Sequence, residues 1–387
     1  MIYILLIFQT NYHQKDEYIM KISQLDTPAL LVDLDKMNQN IEAMQERINN
    51  LGLTLRPHTK AHKSPTIAQR QIDAGAKGIC VAKLGEAEVM AEGGISDILI
   101  TTPIAGKKKV QRLINLYLKY PDFRFIQVVD HHAHVTEIGQ SAHKVGVCAE
   151  LMIEVESGQE RCGIDVGEPL VELIRAIKNT QGVSYAGIQA YSGHLQHVKG
   201  YTERNQQART AVSPLFNFIS EVLEPKDLAP EMISGGGTGT YAAYQGLSFS
   251  EIQAGSYLFM DAAYQAIGDE NSHLENKQFS PALKVISTVI SAPTDKRRVI
   301  DAGMKCLSID LGMPKLEHIE GVRYQTGGDE HGILHLKDGE GLPKLGQKVT
   351  LLPSHCDTTL NNFDTIFVVQ GEDVVDEWSI VGRGRSD

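Results

Sequence analysis

A (β/α)8 TIM-type barrel followed by a mainly-β domain is the fold this sequence predicts. Three observations carry the prediction. Eight short apolar runs alternate with amphipathic helical stripes between about residues 53 and 254. Strand alternating with helix implies parallel strands joined by right-handed crossovers, and eight such units suit a closed barrel better than the competing open, doubly wound sheet. From about residue 278 the texture changes to alternating, β-branched runs separated by turn residues, with little helical periodicity.

In chain order, residues 1–24 read as an N-terminal extension. Residues 1–8 are mostly apolar, but no basic region precedes them and no small-residue cleavage site follows. They are too few to span a bilayer. Met20 is a plausible alternative start. Ala29-Leu30-Leu31-Val32-Asp33-Leu34 reads as a strand. Residues 37–48 read as a helix with Met37, Ile41, Met44 and Ile48 on one stripe. The barrel domain is assigned to residues 25–277. Its strands are expected near 53–57, 78–82, 97–101, 124–128, 149–155, 184–190, 230–234 and 251–254. Helices are expected near 65–74, 84–92, 107–119, 132–142, 167–178, 203–223 and 240–246. Residues 278–387 are assigned to the β domain, which part of the N-terminal segment can join. Its turn signals include Gly327-Gly328 and Asp338-Gly339.

A length of 387 residues suits two or three domains, and 42% hydrophobic with 22% charged residues is an ordinary globular composition. The net charge of −11 argues against a nucleic-acid surface. The basic run Lys107-Lys108-Lys109 reads as the solvated start of a helix. Five scattered cysteines without a CxxC pair imply a reducing, cytoplasmic setting and no disulfide framework. Cys148 and Cys306 read as core residues. No stretch reads as a membrane span.

The chemistry collects at strand ends, where a barrel carries its active site. Arg56-Pro57-His58-Thr59-Lys60-Ala61-His62-Lys63 lies between the first barrel strand and a helix begun by Ser64-Pro65, a capping residue and a proline suited to the first helical position. A neutral lysine can form a Schiff base with an aldehyde. Arg56, Lys63 and protonated His58 or His62 are expected to lower the Lys60 pKa toward that state. Arg161 sits in a Gly-bracketed loop after the fifth strand and suits an anion or a ring nitrogen. After the sixth come Tyr191, Gly193, His194 and His197, a dense titratable group with an acid–base role. After the seventh comes Ser234-Gly235-Gly236-Gly237-Thr238, and after the eighth Gly255-Ser256-Tyr257. Gly-rich loops at these positions suit a phosphate. The cradle is neither a P-loop nor a Rossmann turn. A phosphate site and an aldehyde-trapping lysine on one face fit pyridoxal 5′-phosphate. In the β domain, His355 and Asp357 would share one side of a strand and suit a divalent ion such as Mn²⁺, Mg²⁺ or Zn²⁺; a hydrogen-bonded His–Asp pair, or a turn, is the plainer reading.

These residues resemble the D-threonine aldolase / D-serine dehydratase family, fold-type III pyridoxal-phosphate enzymes with an alanine racemase-like fold. The likeness runs from Leu25 to Asp387. It rests on Asp26-Thr27-Pro28-Ala29, the lysine motif, Tyr191-x-Gly193-His194, Ser234-Gly235-Gly236-Gly237-Thr238, His355-x-Asp357 and Gly382-Arg383-Gly384-Arg385. The resemblance implies a Schiff base on Lys60, with Arg161 at the pyridine nitrogen and Tyr191 near the cofactor. Residues 234–238 and 255–257 would hold the phosphate, and His355 and Asp357 the metal. His194 would help take the proton of the substrate's β-hydroxyl. It implies a homodimer whose β domains cap the partner's barrel. It also implies cleavage of a D-3-hydroxy amino acid to glycine and an aldehyde. Family dehydratases tend toward His-x-Cys, so Asp357 favours the aldolase. The alternatives are a D-serine or 3-hydroxy-D-aspartate dehydratase, an amino-acid racemase, and a non-catalytic cofactor-binding protein.

Overall fold

The computed structural model of the chain describes residues 19–337 and 341–387. Most of the N-terminal extension, including residues 1–8, and the turn expected at Asp338-Gly339 lie outside the described residues.

The chain opens with β1 (Ala29–Asp33) and α1 (Leu34–Asn50). The barrel follows as β2 (Thr54–Leu55), α2 (Pro65–Asp73), β3 (Ile79–Val81), α3 (Leu84–Glu92), β4 (Asp97–Ile100), α4 (Lys107–Lys119), β5 (Arg124–Val129) and α5 (His132–Lys144). It continues with β6 (Ala149–Glu154), α6 (Glu168–Asn179), β7 (Val183–Ala190), α7 (Tyr201–Phe218), β8 (Ile233–Gly235), β9 (Glu251–Ile252) and the short α8 (Ala262–Gln265). The eight strands β2 to β9 pair in the order β2-β9-β8-β7-β6-β5-β4-β3, all parallel. The ends of that order meet. The Cys80 amide donates to the Pro57 carbonyl at 2.8 Å and the Lys77 amide to the Leu55 carbonyl at 2.9 Å, and a parallel bridge joins His58 to Cys80. Every expected barrel strand is present. The helix expected over 203–223 continues past α7 as a π-turn at Ile219–Leu223, and that expected over 240–246 is a 3₁₀ turn at Tyr241–Tyr244.

Strand periodicity sorts the side chains. In β5, Ile126 and Val128 point into the barrel with Cys80, Leu99, Met152, Ala186 and Met232, while Phe125 and Val129 pack outward against the helices. The foot of the barrel is polar. Arg56 is wholly buried there; its Nε donates to Glu251 Oε1 at 2.8 Å and its Nη1 to Asp97 Oδ1 at 2.6 Å. Arg124 continues the set by pairing with Glu150. Gly78 leaves room for this, since a Cβ there would fall 2.6 Å from Arg56 Nη1.

The β domain comprises β10 (Leu283–Thr294), β11 (Arg297–Ile300), β12 (Lys315–Leu316), β13 (Val322–Thr326), β14 (Gly332–Leu336) and β15 (Lys348–Leu352). The helical turn α9 (Cys356–Leu360), β16 (Thr365–Gln370) and β17 (Asp373–Ser379) complete it. Its sheet is nine-stranded because β1 enters it, antiparallel to β10 and parallel to β16. The expected helical stripe on α1 then serves two cores: Met37 and Ile41 face the β domain, Met44 and Ile48 the barrel. Cys306 is buried as expected. Cys148 is exposed, which corrects its reading as a core residue: it sits just before β6 and its side chain faces solvent.

Arg56→Met would leave the buried Glu251 carboxylate without its partner. Removing one member of a buried ion pair costs about 3–5 kcal/mol. Denaturant unfolding should show a loss of that size, whereas Lys305→Met, which breaks an exposed pair with Glu330, should cost at most about 1 kcal/mol.

Candidate active site

Lys60 lies in a 3₁₀ turn, Thr59–Ala61, directly after the first barrel strand. The turn is tied on all sides. His58 Nδ1 accepts from the Lys60 amide at 3.3 Å, and Thr59 Oγ1 donates to the Cys80 carbonyl at 3.1 Å. His62 Nδ1 accepts from the Ser64 amide at 3.1 Å, and its Nε2 faces Gln71 Oε1 at 3.2 Å. Pro65 takes the first helical position of α2, but Ser64 makes no side-chain cap.

The expected lowering of the Lys60 pKa is not what these contacts produce. Arg56 points to the opposite end of the barrel, where two carboxylates hold it. Lys63 Nζ pairs with Glu86 Oε1 at 3.3 Å. Burial keeps His58 well below the ordinary histidine range and pushes His62 down to about 3, so both rings are neutral. The Lys60 ammonium is instead held above its ordinary range. Tyr191 contributes most; burial opposes it; Asp357 and Glu86 add to it and Arg161 subtracts.

Around Lys60 is a cavity of about 70 Å³ bordered by His58, Ala82, Thr101, Thr102, Arg161, Gln189, Tyr191 and Gln253. The Arg161 guanidinium stands 5.7 Å from the Tyr191 ring centre, and its Nη2 is 3.9 Å from Glu154 Oε1. Glu154 closes β6, 3% exposed, with Oε2 unpaired among the described residues. Burial raises its pKa to about 7. Gln253 Nε2 donates to Gln189 Oε1 at 3.1 Å and to Ser234 Oγ at 2.9 Å, so the buried Ser234 belongs to this wall.

The two glycine loops meet beside it. The Tyr257 amide donates to Thr238 Oγ1 at 2.9 Å, which joins the loop after β8 to the loop after β9. Gly236 takes φ +69°, and an added Cβ there would fall 2.6 Å from Tyr244. A Cβ on Gly255 would fall 3.0 Å from the His58 carbonyl, so this loop abuts the lysine turn. Gly237 backs onto Gln196. The Thr238 and Ser256 amides have no protein acceptor among the described residues. The Tyr257 hydroxyl is turned away, accepting from Gln71 Nε2 at 2.8 Å in the core.

His355 and Asp357 are not on a strand. His355 caps α9 and Asp357 lies in its first turn. The Pro353-Ser354 segment after β15 turns into a helix because Asp261 intercepts it: Asp261 Oδ2 accepts from the Cys356 amide at 3.1 Å, and Oδ1 from the Tyr264 amide at 2.9 Å. Asp261 is fully buried, and burial raises its pKa to about 6. His355 Nδ1 lies 2.7 Å from Asp310 Oδ2, leaving Nε2 free, and Asp357 Oδ1 is buried with no partner among the described residues. Cys356 points into the core, its Sγ 3.6 Å from the Met260 carbonyl. No group of three or more His, Cys, Asp or Glu is gathered as a metal centre among the described residues.

The two histidines after β7 part ways. His194 packs on Gly158 and lines a separate groove of about 760 Å³ that runs along α7, outside the Lys60 cavity. His197 packs on Tyr264, ring centres 4.4 Å apart and planes tilted by 48°, and interacts electrostatically with His355, Asp357 and Lys60. Its pKa falls to about 4, by burial first and by His355 next.

The model for the alanine racemase N-terminal domain matches residues 32–263, and that for a serine dehydratase domain matches residues 282–369. The chain is 34% identical to 3-hydroxy-D-aspartate aldolase of Paracoccus denitrificans over 95% of its length and 94% of the relative's. It is 35% identical to D-threonine aldolase of Arthrobacter, with 94% of each chain covered. The chain belongs to the D-threonine aldolase / D-serine dehydratase family. The crystal structure of D-threonine aldolase from Filomicrobium marinum superposes with a TM-score of 0.90 at 35% identity, covering 95% of this chain and 99% of that one.

Within this family frame, Glu154, Gln189, Gln253, Asp261 and Asp310 are the site residues that motif reading missed. Glu154 was visible as an acid ending an apolar strand two residues after the inward-facing Met152. For Asp261 no sequence signal existed. Glu154 also sets a pH dependence. Its folded pKa of about 7 stands above the ordinary glutamate value of 4.5, so the apoprotein loses stability as pH rises through that window. Glu154→Gln should remove that loss: relative to wild type the variant gains on the order of 2–3 kcal/mol between pH 4.5 and 8, read from urea midpoints of the apoprotein.

Proposed function

We propose that the protein is a carbon–carbon lyase, dependent on pyridoxal 5′-phosphate and a divalent metal, that cleaves D-3-hydroxy amino acids to glycine and an aldehyde. The observation that carries this reading is the convergence on Lys60: Tyr191 first and then, against burial, Asp357 of the β domain hold the barrel lysine's pKa up, which supports one site for the amine and the candidate metal ligands.

The residues fit the cofactor. Lys60 is the amine for its aldehyde, and Arg161 beside Tyr191 suits the ring. Arg161 carries a fixed positive charge, so a pyridine nitrogen facing it stays unprotonated. The unpaired Thr238 and Ser256 amides, beside Gly236, Gly237 and Gly255, suit the phosphate. Bound there, the cofactor supplies an electron sink for the pair released at Cα. The donor set fits a divalent ion as well. Asp310 orients His355 so that Nε2 is presented, the usual arrangement behind a ligating histidine, and the orphaned Asp357 carboxylate completes the pair. Such an ion, Mn²⁺, Mg²⁺ or Zn²⁺, supplies Lewis acidity at the β-hydroxyl.

The protein's own part is to remove the β-hydroxyl proton so that the Cα–Cβ bond can break. His194 is the proposed acceptor. A second reading gives this role to His197, and its electrostatic contact with Lys60, His355 and Asp357 favours it. A general base contributes about 10²–10⁴ in rate. His194→Ala and His197→Ala should therefore separate. The acceptor's variant loses kcat by that factor and its pH–rate limb; the other keeps both.

Asp357 at the ligand place, with Cys356 turned into the core, supports cleavage over dehydration. A racemase needs acid–base groups on both faces of Cα and no such metal pair. The reading also carries a homodimer. No helix among the described residues is long and apolar enough to cross a membrane. Given D-threonine, pyridoxal phosphate and Mn²⁺, the purified protein should release glycine and acetaldehyde, with turnover lost on chelation and in Asp357→Ala. Formation of 2-oxobutanoate and ammonia would overturn the aldolase assignment in favour of dehydration.

A further inference from the structure

The Gly382-Arg383-Gly384-Arg385 motif has no part in the chemistry above, yet it ends against the back of the lysine turn. The Gly382 amide donates to the Lys63 carbonyl at 3.0 Å. Gly382 is buried, and a Cβ there would fall 2.8 Å from that carbonyl and 2.9 Å from Lys63 Cβ. Three residues on, Arg385 pairs with Glu88 on α3, and the Asp387 carbonyl accepts from the Gly85 amide at 3.0 Å in the first turn of α3. The last six residues thus join the lysine turn to α3.

Both attachment points bear on the Lys60 cavity. Lys63 takes φ +51°, a left-handed conformation that a non-glycine residue holds only where its surroundings enforce it. Its amide donates to the Thr59 carbonyl at 2.7 Å, which closes the turn carrying Lys60. Its ammonium reaches Glu86, and the other oxygen of Glu86 accepts from the amide of Ala82, which borders the cavity. A shift at Lys63 is therefore felt at Lys60 and at Ala82 together.

We infer that residues 382–387 form a strap that positions Lys60 by holding Lys63 left-handed against α3. Gly382 and Lys63 are positioning residues; neither borders the cavity. This rests on the reading of Lys60 as the cofactor's lysine, and the test separates the two.

The test uses the full protein loaded with pyridoxal phosphate, and three variants: Gly382→Ala, deletion of residues 382–387, and Arg383→Ala, whose exposed side chain pairs, among the described residues, with exposed Asp364 alone. Hydrogen exchange by mass spectrometry reads amides 59–64. In Gly382→Ala and the deletion these amides should exchange at least tenfold faster. The pH midpoint of the bound cofactor's visible absorbance should shift, and kcat should fall at least tenfold with KM changed less than threefold. Arg383→Ala should match wild type in all three. Unchanged exchange at 59–64 and an unchanged absorbance midpoint, with only a lower Tm, would overturn the strap as a positioning element. If the deletion fails to fold, Gly382→Ala decides alone. Borohydride reduction and peptide mapping of wild type test the underlying reading independently: an adduct away from Lys60 removes that reading while leaving the exchange result standing.

Discussion

Arg56, sealed between Glu251 and Asp97 at the foot of the barrel, fixes the start of the segment that ends in Lys60. Only three residues lie between them. A guanidinium this deeply buried is held in place, because the Glu251 carboxylate left alone would carry an uncompensated charge in a low-dielectric interior. The pair with Glu251 ties β2 to β9, and the pair with Asp97 reaches β4. With the chain pinned there and the ring closed through Cys80, the next turn can rise only at the barrel's upper mouth. The charge that sequence reading assigned to tuning Lys60 thus serves the architecture beneath it.

The upper mouth is built the opposite way. Ion pairs there alternate with polar groups that have no hydrogen-bond partner among the described residues: Glu154 Oε2, Asp357 Oδ1, and the Thr238 and Ser256 amides. Unpaired buried polar groups are costly in a finished core. Those near Lys60 leave donors and acceptors open to a polar ligand. Asp261 extends the logic across the domain boundary. It accepts from a barrel amide and from α9 with a single carboxylate, so the β domain delivers its histidine and aspartate at a defined place.

Much of this was legible in the sequence. Strands such as 124–129 and 149–154 announce themselves through apolar runs of the right length between helical stripes, and the glycine loops and Lys60 stand where a barrel puts chemistry. What sequence could not show was direction and partner. Arg56 and Lys63 looked like neighbours of Lys60 until their carboxylates were seen, and those lie tens to hundreds of residues away. His355-x-Asp357 fits strand periodicity as well as it fits a helix start, and only the distant Asp261 decides between them. His194 and His197 are equal by composition; packing on Gly158 and on Tyr264 separates them.

β1 is built early and completed late. Leu31 pairs with β10 through Lys284 and with β16 through Phe367, so its neighbours on both sides are the products of much later translation. Until they emerge, an apolar strand with two unpaired edges is exposed beside a barrel that can already close. Pairings of such long sequence separation form slowly and leave edges open to other chains. The edges of β1 therefore stay open until residues 283–294 and 365–370 have been made.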